Sequence, residues 1–197
     1  MACIPILADV TFSCEDLGIG GLKSIYIGHK SELISKMSTE ATPAAYVPVS
    51  KDASNVVSVT ADPGATDNGL YSDDTVVKVQ FNLKDGFSVF TDVKTVSADG
   101  ISSTVPTIAV EIPTMTITHR NALDAIAQPG VELVAFVETA AGTKHLIGFD
   151  FGLYASSVDG TSGTGRSEKN RYQLTLTGEE GALAYNITDA EWAKIIA

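Results

Sequence analysis

The chain has 197 residues, 44% of them hydrophobic and 19% charged, with 24 acidic against 13 basic side chains and a formal net charge of -11. That length and hydrophobicity fit one folded domain with a real core and exclude a wholly disordered chain. The acidic balance excludes a surface built to grip nucleic acid or an anionic membrane, because phosphate binding draws on Lys and Arg.

The opening MACIPILADV has no basic stretch, and its apolar run ends at Asp9, so it makes a poor signal peptide. The TFSC before Cys14 lacks the leucine of a lipoprotein cleavage site. Cys3 and Cys14 are the two cysteines, too few for a disulfide framework. No apolar run approaches a membrane span. These features lead us to expect a soluble chain made in the cytosol, with free thiols.

A Gly-rich stretch, Ser13 to Gly28, leads into LKSIYI at Leu22 to Ile27, whose composition predicts a strand. SELISKMSTEA from Ser31 spaces Leu33, Ile34 and Met37 for a short helix or a loop, and Pro43 ends either. From Lys51 to Asp74 the chain is polar and turn-rich, with Asp62-Pro63-Gly64 and Asp67-Asn68-Gly69 as turn signals, and reads as one long loop. TVVKVQF then alternates Val77, Val79 and Phe81 as a half-buried strand does, and Asp85-Gly86 marks a hairpin turn.

VPTIAVEIPTMTIT is extended, but Pro106 and Pro113 cannot donate to a ladder, which predicts an edge strand or a bent one. THRNALDAIAQPG is the best helix signal, with Thr118 as cap, Leu123 and Ile126 on one side, and Pro129-Gly130 as the stop. VELVAFVET reads as a central strand, turned by Ala141-Gly142 into HLIGFDFGLYAS. A flexible loop, SVDGTSGTGRSEKN, precedes RYQLTLTGEE, where Tyr172, Leu174 and Leu176 share a face. Thr188 and Glu191 match a capping box ahead of Trp192, Ile195 and Ile196. Roughly eight strands and one or two short helices predict a single, mainly β (α+β) domain: an antiparallel β-sandwich or open barrel with a flanking helix.

Chemistry is sparse. His29, His119 and His145, even with the cysteines, show no metal-ligand spacing, and we expect no metal or cofactor. Ser162 lies in GTSGTG, which lacks both the hydrophobic helix of a nucleophile elbow and the Gly-Lys-Ser/Thr ending of a phosphate loop. Asp62, Asp67, Asp73 and Asp74 lack the alternate spacing of a calcium loop. Glu179 and Glu180 are adjacent, so on a strand they point to opposite faces and cannot share acid-base work. Asn186-Ile187-Thr188 matches a glycosylation acceptor, which matters only after export. Trp192, in an apolar segment, suits a core or docking role. The expectation is a non-enzyme with no catalytic residues.

The Cys14-to-Gly28 opening, the Gly148 to Gly152 segment, the TSG loop and the closing NRYQLTLTGEEGALAY together resemble the small tail-tube or tail-associated proteins of phages with Bacteroidetes-type hosts. The resemblance covers about a third of the chain, at its two ends. It implies a virion structural protein whose sandwich, with a flanking helix, stacks as hexameric rings into a hollow tail tube. Its partners would be copies of itself and other tail proteins, with DNA passing through unbound and no membrane involved. Another tail or neck ring component, or a β-sandwich that binds surfaces or glycans, is the alternative. The acidic composition suits a conduit that DNA must not adhere to. The Lys51 to Asp74 segment would suit an arm between subunits.

Overall fold

The computed structural model describes residues 20–33, 49–59, 76–79, 88–164, 168 and 170–196. In chain order these form β1 (Leu22–His29), α1 (Lys30–Leu33), β2 (Val49–Lys51), β3 (Val57–Val59), β4 (Val76–Val79), β5 (Val89–Val96), β6 (Ser102–Pro113), α2 (Ile117–Ile126), β7 (Leu133–Thr139), β8 (Lys144–Ile147), β9 (Leu153–Thr161), β10 (Arg171–Gly178), β11 (Tyr185–Asn186) and α3 (Asp189–Ile196). The architecture is mainly antiparallel β, a sheet curled into a half-barrel with a short flanking helix, as the alternation and turn signals predict.

The large sheet has two halves. In one, β7 is flanked by β1 and β8, with β4 outside β1 and β11 outside β8. In the other, β9, β10, β6 and β5 run side by side, and a single Leu133–Leu153 pair joins β9 to β7. The curl brings the halves face to face. Ile25, Ile27, Ala135, Val137 and Ile147 from one half meet Ile108, Val110, Leu174 and Leu176 from the other, and Leu123 and Ile126 of α2 join the same core.

A second core lies behind the first half. The period-two geometry of β1, β7 and β8 sends Tyr26, Val134, Phe136 and Leu146 to the opposite face. There the β2–β3 hairpin supplies Val49, Val57 and Val59, and α3 supplies Trp192 and Ile195. β7 is therefore buried on both faces, which explains its unbroken apolar run. Trp192 meets Tyr26 edge-on with ring centroids 5.5 Å apart, the docking role its setting suggested.

Several local expectations change. β6 is interior, between β10 and β5, not an edge strand. Its prolines are tolerated because each falls where a neighbour is missing. Pro106 lies between the last β10 pair, Thr107–Thr177, and the isolated Thr104–Glu180 bridge, while Pro113 lies beyond the reach of β5. The cap of α2 is Thr116 rather than Thr118, its side chain accepting from the His119 N–H at 3.1 Å. β9 runs to Thr161, so SVDGT belongs to a strand and not to the loop expected there. HLIGFDFGLYAS forms β8 and the start of β9, with a Gly148–Gly152 turn between them. The long polar loop contributes β3 at Val57–Val59, with Val57 and Val59 buried. Its first residue, Lys51, ends β2; its residues 60–74, the Asp85-Gly86 turn and most of the helical spacing after Leu33 lie outside the described residues.

Candidate functional site

The densest polar cluster ties the two sheet layers together. Gly148 and Gly152 both take φ +86°, a left-handed backbone that folds the β8–β9 connection tightly enough to place Asp150 between β2 and β11. Lys51, the last residue of β2, donates to Asp150 Oδ1 at 2.5 Å and to the Tyr185 hydroxyl at 2.6 Å. That hydroxyl donates to Asp150 Oδ2 at 2.6 Å, closing a triangle. The Lys51 ammonium also sits 4.1 Å from the Tyr185 ring centroid and 4.8 Å from that of Phe149.

Glu180 joins from behind. It exchanges backbone hydrogen bonds with Thr104 at 2.8 and 3.1 Å, and its Oε2 accepts the Asp150 N–H at 3.0 Å. The residue is only 6% exposed, and its Oε1 is buried with no hydrogen-bond partner. Burial pushes its pKa up to about 7, against the pull of the Asp150 N–H, and the neighbouring Asp150 carboxylate pushes the same way.

The remaining members of the cluster hold their protons and charges firmly. Burial opposes the Lys51 ammonium, but its bonds to Asp150 and Tyr185 outweigh that and raise its pKa. Burial likewise opposes the Asp150 carboxylate, and Lys51 and Tyr185 outweigh it and hold the pKa low. Burial and Asp150 raise the Tyr185 phenol. At neutral pH, Lys51 is charged and Tyr185 protonated, so neither is poised as a nucleophile or base. The space bounded by Asp92, Glu180, Ala184 and Tyr185 has no room for even a water molecule. The arrangement can act as a strut between layers.

The residues singled out in the sequence are scattered. His29 ends β1, His119 lies in the first turn of α2 with its ring bonded to the Thr114 carbonyl at 2.9 Å, and His145 on β8 faces Phe90 at 5.9 Å. Among the described residues no three His, Cys, Asp or Glu side chains converge. Ser162 is exposed and bonds to the Gly163 carbonyl at 3.3 Å. Beside it, Glu168 accepts the Thr164 N–H at 2.5 Å, placing a carboxylate where a phosphate cradle needs open N–H groups. Glu179 is exposed and Glu180 buried, as alternation requires. Cys3, Cys14, Asp62, Asp67, Asp73 and Asp74 lie outside the described residues.

A surface feature stands apart from this cluster. β5 is the last strand of its half-sheet, and among the described residues nothing pairs with its outer edge beyond Ser88, whose carbonyl accepts the Leu22 N–H at 3.2 Å. The outward face beside that edge is rich in Val and Thr, with the exposed Glu179 at its rim. Its cross-strand rows are Val89–Ala109–Thr175–Ser157, Thr91–Thr107–Thr177–Tyr154, Val93–Val105 and Thr95–Ser103. Val93, on this face, is 55% exposed. Sequence reasoning found the strands but not this face, because only the register lines these residues up.

No family model, curated protein or solved structure matches the chain.

Proposed function

We propose that this chain is a self-assembling structural protein, and specifically a phage virion protein whose rings stack into a tail tube that conducts DNA. The observation that carries the reading is the β5 edge, which no strand among the described residues pairs with, beside a Val/Thr-rich face. An exposed row of free N–H and C=O groups is an aggregation hazard in a monomer and an asset in an assembly. A curled half-barrel supports the same reading, because neighbouring subunits can continue its sheet around a ring. The net charge of -11 favours a conduit over a DNA-binding surface. Sedimentation and electron microscopy of the purified chain test it: rings or tubes are expected. A monomer at every salt and protein concentration would overturn it, and rings that never stack would point to a neck or other ring component.

A second reading, a surface- or glycan-binding module, is favoured by Phe151 and Tyr154, which are 65% and 57% exposed where β9 begins. Saturable binding on a glycan array, lost in Phe151→Ala and Tyr154→Ala, would support it.

A further inference from the structure

We infer that β5 pairs antiparallel with β5 of a second copy across a twofold axis at Val93. The inference rests on the self-assembly reading and is an alternative to the tube, because a twofold closes the edge that a ring would extend. It begins with which groups face outward. Thr104 exchanges both backbone bonds with Glu180 on the β10 side, so even-numbered residues of β6 point to β10 and odd-numbered ones to β5. The Ser97 N–H bonded to the Ile101 carbonyl at 2.8 Å continues that odd-numbered pattern. The even residues of β5, Phe90, Asp92, Lys94 and Val96, therefore turn their N–H and C=O groups to the open edge.

Charge selects the register. Asp92 and Lys94 are the two charged residues of β5. Antiparallel pairing centred on Val93 sets Asp92 of each copy opposite Lys94 of the other, and the twofold axis makes the contact twice. The same register sets Phe90 opposite Val96 and Thr91 opposite Thr95. All the outward-facing backbone groups then fall in hydrogen-bonded pairs, and Val93 meets its own copy at a non-hydrogen-bonded position. Within its own chain Asp92 Oδ2 accepts the Ala184 N–H at 2.6 Å, which holds the carboxylate in place at the edge. The result is one continuous sheet through both copies, with its Val/Thr faces contiguous.

Cross-linking in the full chain, with Cys3→Ser and Cys14→Ser, tests the register. At a non-hydrogen-bonded pair the Cα atoms are about 4.5 Å apart, within disulfide reach. Val93→Cys should form a covalent dimer under mild oxidant, while Val105→Cys, exposed on the neighbouring strand, should not. Lys94→Glu should weaken the dimer by about tenfold or more in sedimentation equilibrium, because it sets like charges opposite each other twice. Its unchanged thermal midpoint would show that the fold is intact. Equal cross-linking at both positions, or no response to Lys94→Glu, overturns the twofold. Rings without a Val93 cross-link overturn it while leaving self-assembly standing, and a monomer throughout overturns both.

Discussion

Gly178 packs against the backbone of Gly152 so closely that a Cβ at position 178 would lie 2.4 Å from the Gly152 carbonyl oxygen. The contact locks the end of β10 onto the turn that carries Asp150, and neither backbone can yield without moving a strand. Gly178→Ala should therefore cost about 1–3 kcal/mol in urea denaturation, the usual range for overpacking. Gly181→Ala is the control. Its nearest neighbour would be 3.4 Å away, and the change should stay within about 0.5 kcal/mol.

Gly20 and Gly21 look equivalent in sequence and are not. Gly21 takes φ +105°, and its carbonyl accepts the Ala140 N–H at 3.0 Å, whereas a Cβ at Gly20 would meet nothing. Gly21→Val should destabilise by about 1–3 kcal/mol, the cost of holding a β-branched residue at positive φ. Gly20→Val should be close to neutral. Thermal melts of the two single variants separate the positions.

Glu180 gives the fold a pH dependence of defined sign. Its folded pKa is raised from the ordinary 4.5 to about 7, so its protonated form is favoured by folding. The stability it contributes is fully present below pH 4.5 and is lost as pH rises through about 7. Asp150 acts in the opposite sense: its lowered pKa contributes stability above the ordinary aspartate range, lost as pH falls below it. Glu180→Gln should flatten the decline between pH 5 and 8, removing a difference of order 3 kcal/mol at most. Denaturation midpoints of the two proteins across that window are the measurement, and parallel curves would contradict the assignment.

Lys51 should matter for one layer rather than for the whole fold. Lys51→Met leaves the Asp150 carboxylate with Tyr185 and the Gly181 backbone and releases the β2–β3 hairpin from the strut. A loss of about 1–2 kcal/mol is expected, reduced from the buried-pair range because the group is partly solvated. Hydrogen exchange should quicken at Val57 and Val59 while β10 stays protected.

Trp192→Ala should cost about 3–5 kcal/mol, because it empties the centre of the outer core beside Tyr26. Wild-type Trp192, the sole tryptophan, reports the same event by a red shift of its fluorescence on unfolding.

Strand identity was legible wherever alternation was clean. Leu174 and Leu176, or Leu123 and Ile126, could be assigned to a buried face from spacing alone. The interior placement of β6 was not, because a proline marks only the rung it lacks and not whether a neighbour stands there. The strut was hidden for a different reason: Lys51, Asp150 and the Glu180–Tyr185 segment are far apart in the chain, and only the two left-handed glycines bring Asp150 to the others. Thr188 illustrates a partial signal. It caps α3 by accepting the Glu191 N–H at 3.3 Å, but the Glu191 carboxylate takes the Val59 N–H at 2.5 Å and Lys194 rather than returning to the cap. A capping box was visible in the sequence, while the use of its second half to fasten β3 depended on tertiary structure.

The outer core joins segments made at different times. Tyr26 and Val49 leave the ribosome well before Trp192 and Ile195, which share their core and emerge more than a hundred residues later. Until then the apolar sheet face that α3 covers lacks that cover on the nascent chain. A chaperone that shields this face, or slow folding that waits for α3, would keep early β-strands from pairing with the wrong molecule.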